Sequence, residues 1–236
     1  MDGKPEIIVT ASAIMRVSVY RNISSPGAIA FENNVDFETG VNPWSVALND
    51  LNGDGLKDVV LCNWTSSTVS LFRNTSYLGK ISFAPRADMG TGTHPNSVAL
   101  GDLNNDGKAD LVVGYSIKSG VSIYENLSVN NHISFGGRTH ISLDAYAFEV
   151  GIGDLNGDGK PDITATGMDV DRIAILKNIS DGNSISLAPK VDYVTTYWPY
   201  SSFIGDLDGN AIPELLVGGG NSELAVFRNR IGEPAV

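Results

Sequence analysis

Asp154-Leu-Asn-Gly-Asp-Gly-Lys-Pro-Asp162 decides how this chain reads, because versions of it stand at four evenly spaced places. Going back 52 residues gives Asp102-Leu-Asn-Asn-Asp-Gly-Lys-Ala-Asp110, and the same step again gives Asp50-Leu-Asn-Gly-Asp-Gly-Leu-Lys-Asp58. Going forward 52 gives a weakened copy, Asp206-Leu-Asp-Gly-Asn-Ala-Ile-Pro-Glu214. One more step back lands on half a motif, Asp2-Gly-Lys-Pro-Glu6. A fixed period of this size is the signature of a repeat architecture.

The rest of the unit keeps the same step. Each acidic stretch follows a short run such as Ser45-Val-Ala-Leu48, Ser97-Val-Ala-Leu100, Glu149-Val-Gly-Ile152 or Ser201-Ser-Phe-Ile204. A continuous apolar run comes next (Val59-Val-Leu61, Leu111-Val-Val113), then an alternating one (Val69-Ser-Leu-Phe72, Val121-Ser-Ile-Tyr124). A fourth run, Ile81-Ser-Phe83 or Ile133-Ser-Phe135, is expected to complete the unit. These runs are short, rich in β-branched and aromatic residues and bounded by Gly, Asn, Asp and Pro, which is the grammar of strands. Four strands per repeat of roughly 50 residues predict an all-β fold, a β-propeller of about five four-stranded blades. With the strands lettered a to d, the chain reads b-c-d, three complete units and a-b-c, or 18 strands. The units fall at 1–44 (partial), 45–96, 97–148, 149–200 and 201–236 (partial) of one domain. The partial ends are not complementary, which leaves a fragment of a larger ring, an imperfect five-blade ring, or a ring completed by a second copy.

The acidic loops read as calcium sites. Calcium takes six to eight oxygen ligands, and D-x-[DN]-x-[DN]-G curls a short loop so that alternate side chains converge. Asp50, Asn52, Asp54, Asp58 and the carbonyl of Leu56 form the first candidate set. The second is Asp102, Asn104, Asp106, Asp110 and the carbonyl of Lys108; the third is Asp154, Asn156, Asp158, Asp162 and that of Lys160. A fourth, degenerate set is Asp206, Asp208, Asn210, Glu214 and the carbonyl of Ile212, where Ala211 replaces the turn glycine and is expected to strain the backbone. The half-motif with Asp2 and Glu6 is expected to bind nothing. An EF-hand would need a Glu at loop position 12, where Leu61, Val113 and Ala165 stand instead. Twelve of the 27 acidic residues lie in these four loops. Hairpin turns alone have no use for three packed carboxylates each, since like charges at that range repel.

Composition narrows the remaining classes. A net charge of −11 argues against nucleic acid, and no apolar run approaches the roughly 20 residues of a membrane helix. The one cysteine, Cys62, lies in an apolar run and reads as core filler. The sequons at Asn22, Asn74, Asn126 and Asn178 recur once per unit and read as turn residues ending strand c. The three histidines fit no H-E-x-x-H pattern, and no nucleophile elbow or P-loop is present, so no enzyme is expected.

Asp154–Asp162 and the following Ile173-Ala-Ile-Leu-Lys-Asn178 resemble the FG-GAP/VCBS repeats, the integrin-α-like propeller blades common in secreted bacterial proteins. The resemblance covers nearly the whole chain. It implies a metal loop joining the innermost strand to the second, strand d outermost, and a secreted or cell-surface location. The opposite end of the blades collects Trp44, Trp64, His94, Asn96, Tyr146, Tyr197, Trp198 and Tyr200, a candidate face for a glycan or a protein partner. The alternatives are a passive spacer in a large surface protein and, in the same family, a calcium-dependent polysaccharide lyase.

Overall fold

A computed structural model describes residues 3–77, 79–117, 120–182 and 184–230; Asp2, half of the N-terminal half-motif, lies outside them. The described residues contain 18 strands in five antiparallel sheets of three or four strands, and one 3-10 turn as the sole helix. The first sheet holds β1 (Ile7–Ala11), β2 (Arg16–Tyr20) and β3 (Val35–Glu38). The second runs β4 (Pro43–Asn49), β5 (Asp58–Asn63), β6 (Thr68–Phe72), β7 (Ala87–Gly90). The third runs β8 (Pro95–Gly101), β9 (Asp110–Tyr115), β10 (Val121–Tyr124), β11 (Thr139–Ile141), and the fourth β12 (Ala147–Gly153), β13 (Asp162–Gly167), β14 (Arg172–Leu176), β15 (Val191–Val194). The fifth is β16 (Pro199–Gly205), β17 (Glu214–Gly219), β18 (Leu224–Phe227). Stepping by 52 residues makes β1 a strand b, so the first sheet lacks a and the fifth lacks d, as the sequence indicated.

The continuous apolar runs are explained by burial on both faces. Every residue of β5, β9 and β13 is buried, because each second strand is sandwiched between neighbouring sheets. In β5 the odd-numbered Val59 and Leu61 pack back with Val17 of the first sheet. The even-numbered Val60 and Cys62 pack forward with Leu111, Val113 and Tyr115 of the third. The same rule gives the next two joints, Val112 and Ile123 against Ile163 and Ala165, then Ile173 against Leu215 and Val217. Burial pushes the Cys62 thiol up to about 12, so it is an inert part of this packing.

Strands a stand beside one another, β4 against β8, β8 against β12 and β12 against β16, which places them on the inside of the arc. A side chain of each a-strand reaches the next: Ser45 Oγ accepts from Val98 N–H (3.3 Å), Ser97 Oγ from Val150 N–H (3.1 Å), and a Glu149 carboxylate oxygen from Ser202 N–H. Each a-strand also begins with a register shift against its b-strand, between Pro43 and Val46, Pro95 and Ser97, Ala147 and Val150, and Pro199 and Ser201. Such bulges bend a strand and re-aim its first residues.

The fourth strand is not where the sequence placed it. Ile81-Ser-Phe83 forms only an isolated bridge from Phe83 to Asn74, and Ile133-Ser-Phe135 likewise bridges Phe135 to Asn126. The outer strand is β7, β11 or β15, several residues later. The reason is burial: β7 (Ala-Asp-Met-Gly) is an edge strand with three of four residues exposed, so it carries little apolar signal. The Ile/Phe pair belongs to the joint instead. Phe83 meets Phe37 and Phe72 edge to face, with ring centroids 4.8 and 5.9 Å apart.

Candidate metal loops and the aromatic end of the blades

Each acidic loop closes on its own backbone. In the first, Asp50 Oδ1 accepts the N–H of Gly53 (2.8 Å) and of Asp54 (3.2 Å), while Oδ2 accepts that of Gly55 (2.8 Å). Asn52 Oδ1 accepts Asp54 N–H and Asp54 Oδ1 accepts Leu56 N–H, two successive Asx turns. Asp58 then ties the loop to the sheet, taking Leu51 N–H (2.9 Å) and Asn74 N–H (2.8 Å) on its two oxygens. Asp110 does the same for Leu103 and Asn126, and Asp162 for Leu155 and Asn178. The sequence folds this way because the turn position must be left-handed: φ is +83°, +85° and +81° at Gly55, Gly107 and Gly159.

The closing carboxylates carry the electrostatic cost. Asp58, Asp110 and Asp162 are buried, and all three are held above the usual carboxylate range. Burial is the main cause, followed in the raising direction by repulsion from the two acids of the same loop; Asp110 is pushed up to about 6. Other side chains answer part of this charge in the third loop. Lys177 Nζ lies 3.3 Å from Asp158, and the Asn156 amide donates to Asp162 at 3.2 Å.

The fourth loop carries the strain expected of it. Ala211 adopts the left-handed turn that glycine takes elsewhere, with φ +67°, and its N–H still donates to Asp206 at 2.8 Å. That bond, with others from the loop backbone, holds the exposed Asp206 carboxyl below its ordinary value. Here Asp206, Asp208 and Glu214 converge, each offering an oxygen within 4.8 Å of the others. Glu214 is 3% exposed; its Oε2 takes Leu207 N–H (2.9 Å), and its Oε1 is buried with no hydrogen-bond partner. Three converging carboxylates, one of them buried with an oxygen that has no partner, fit a divalent cation. An L-residue in this conformation costs roughly 1–2 kcal/mol, partly offset by the lower unfolded-state entropy of alanine. Ala211→Gly is therefore expected to raise the melting temperature by about 2 °C in thermal unfolding followed by circular dichroism; a decrease would show that the turn is unstrained.

At the opposite end of the blades the candidate aromatic residues separate into groups. Tyr197 and Trp198 are stacked, with centroids 5.0 Å apart and planes 15° from parallel. Tyr200 meets Trp198 edge to face at 6.5 Å and Phe148 at 5.3 Å. Tyr197, Trp198 and Tyr200 are all exposed, and so is Trp44 on the second sheet. Trp198 sits at φ +49°, held by its N–H donating to Asp171 Oδ1 (2.9 Å). Asp171 was missed in the sequence, although its signal was there: Asp169 and Asp171 load with acid a b–c turn that elsewhere reads Trp64-Thr-Ser-Ser67.

The other candidates serve the joints. Trp64 is half-buried over His94 (centroids 4.1 Å apart), and its Nε1–H donates to Ser116 of the next sheet at 2.7 Å. Asn96 is buried, its amide donating to the Phe148 carbonyl, which removes it from any open face. Tyr146 is half-buried, its N–H bound to Asp169. The sequon asparagines likewise act within the fold: Asn126 and Asn178 are fully buried, and each accepts the N–H two residues on and donates to two carbonyls.

Comparison with known proteins agrees with this architecture. The model of a family described as FG-GAP-like repeat matches residues 1–61, 50–113 and 154–217. Chicken (Gallus gallus) integrin alpha-6 is 33% identical over 154 residues, covering 56% of this chain and 14% of that protein. Mouse (Mus musculus) integrin alpha-7 is 34% identical over 153 residues, 57% of this chain and 13% of its own. The matched region is thus a small part of those relatives' length. Among solved structures, a Bacteroides uniformis protein described as a 6-phosphogluconolactonase aligns with a TM-score of 0.67 at 15% identity, over 97% of this chain and 65% of that one. The periplasmic gluconolactonase of Pseudomonas aeruginosa aligns at 0.53 and 14% identity, over 95% and 54%. At these identities the likeness is one of fold. Among the described residues no helix is long and apolar enough to cross a membrane.

Proposed function

The chain belongs to the FG-GAP-like repeat family, and on that footing we propose that it is a calcium-stabilised extracellular recognition module, binding a glycan or a protein through the aromatic end of its blades. The observation that carries the reading is the exposed Tyr197–Trp198 stack with Tyr200 beside it. Large rigid rings left in water at a fixed geometry cost little entropy to bind with and dominate recognition hot spots. The backbone holding them is left-handed at Trp198 and pinned by Asp171, a turn that the repeat also forms at Asn42 and His94, so the fold itself fixes where the rings stand.

Calcium is assigned the structural role at the other end. Asp206, Asp208, Asn210, Glu214 and the Ile212 carbonyl would hold one ion, and the matching residues of the first three loops one each. The ion would neutralise the repulsion that raises the closing carboxylates and fix strand a to strand b. The 1–236 unit is read as a single domain without catalytic activity, since its curated relatives are integrin alpha chains and the lactonase likeness is one of fold.

The test is a glycan array and a pull-down from extracellular material in calcium, comparing the wild type with the Trp44→Ala/Trp198→Ala variant. Binding is expected to fall by at least about tenfold, the size of a hot-spot loss. Retention of full binding by the double variant would discard this face, and a wild type that captures nothing would leave the spacer reading.

A further inference from the structure

Repetition makes each joint a measure of the others. Tyr115, the last residue of β9, is fully buried between the second and third sheets, and its ring has four close neighbours. A Cβ on Gly92 would come within 2.8 Å of Tyr115 Cε1, and the Gly92 N–H donates to the phenol oxygen at 3.2 Å. Arg138 lies over the ring, 5.4 Å from its centroid, and His140 meets it edge to face at 6.5 Å. Ser122 holds the arginine, its Oγ accepting Arg138 Nε–H at 2.7 Å.

In the fourth sheet, 52 residues on, Gly167 stands where Tyr115 does. The counterparts of the ring's neighbours, Asp144, Lys190, Asp192 and Ala174, here line a cavity of about 170 Å³. Its floor is apolar, since Ala145, Ala147, Ala165 and Ala174 are all buried. Each is smaller than its counterpart in the third sheet, Thr93, Pro95, Val113 and Ser122, so five reductions together make this space. The other glycine of the row, Gly219, is closed by Thr196 instead. At the mouth Lys190 and Arg172 both pair with Asp192, the latter at 3.8 Å, and the exposed Asp144 balances the second cation.

We propose that this cavity binds a neutral, phenol-sized ring from outside the chain, either a free small phenol or the tyrosine side chain of a partner. An apolar protein cavity of about 150 Å³ is enough to take benzene. The ring would rest on the alanine floor under Lys190, as Tyr115 rests under Arg138, with the cation over its face. Its hydroxyl would meet the Asp144 N–H, as Tyr115 meets that of Gly92. The mouth has no net charge, which favours a neutral ligand over a carboxylate. None of the Tyr197, Trp198 and Tyr200 rings lines this site, so it is separate from that face.

A ¹H–¹⁵N NMR titration of the full chain in calcium with p-cresol tests this. Saturable shifts are expected at the amides of Ala145, Gly167 and Ala174, with a Kd of about 1 mM or tighter, as a ligand this small allows. Benzoate and cyclohexanol are expected to bind at least about tenfold more weakly, one for its charge and the other for its missing π face. Gly167→Tyr/Val170→Ala restores the ring of the third sheet; the second change removes the Cγ2 that would lie 2.8 Å from the new Cβ. Ala165→Leu, which copies Leu61 of the second sheet, replaces that variant if its circular dichroism spectrum departs from the wild type. Either filled variant is expected to lose the shifts. N-acetyl-tyrosinamide separates the two sources: the same shifts assign the ring to a partner's tyrosine, and their absence beside p-cresol binding assigns a free phenol. No saturable shift up to about 20 mM p-cresol overturns the proposal. So does a response kept by the filled variants, equal affinity for cyclohexanol, or shifts at Tyr197 and Trp198 in place of the cavity.

Discussion

Excess EDTA is expected to lower the melting temperature by more than about 10 °C. Each loop gathers three acidic side chains, and the four loops together hold twelve of the 27 acids in a chain of net charge −11. In three loops the closing Asp is raised by burial and by its neighbours, so the metal-free fold carries like charges that water screens poorly. A ligand that binds only the folded state stabilises it by about 2.7 kcal/mol per site at a hundredfold excess over its dissociation constant. One kilocalorie moves the melting point of a domain this size by about 2–4 °C, so even two of four sites suffice. Differential scanning calorimetry in calcium, in EDTA, and in EDTA with 0.5 M NaCl separates the causes. Salt should restore only a small part of the loss, because the closing carboxylates are out of reach of mobile ions. A melt indifferent to EDTA would remove structural calcium from the account.

Asn178→Ala is the substitution expected to be most damaging away from the loops, at about 3 kcal/mol. Its amide joins Leu103 O (2.8 Å) across the joint to Pro161 O (3.0 Å), while its Oδ1 accepts Ser180 N–H (2.9 Å). Truncation leaves two buried carbonyls and an N–H unanswered, each worth roughly 1–3 kcal/mol before relaxation. Asn74→Ala is the internal comparison. Asn74 is half-buried and, among the described residues, donates to Lys57 O (2.7 Å) with no bond across a joint, so its loss should cost about half as much. Urea denaturation of the two variants gives the difference; equal costs would mean that the cross-joint bond adds nothing to the turn.

Much of this was legible in the residues. The continuous Val59-Val-Leu61 run is a local statement that both faces of a strand are covered, and the sheets agree, whereas the alternating Val69-Ser-Leu-Phe72 is buried on both faces too, Ser70 donating to Asp88. The loop glycines and Asx turns announced their backbone conformations in the same way. Strand d escaped because an edge strand needs no apolar pattern, while the Ile/Phe pair that looked like a strand supplies the joint. Ala211 marked a degenerate loop; its backbone turns as the glycines do, and that Glu214 Oε1 is buried without a partner was not legible in the sequence.

By itself, then, the sequence determined the repeat, the blade, the position of every acidic loop and the absence of a helical core, since each depends on neighbours within about ten residues. Only the tertiary structure decided which aromatic rings stay in water and that Asn96 is sealed inside. Those outcomes depend on contacts between residues 52 to 75 positions apart, whose geometry is fixed by how sheets stack and not by any local pattern.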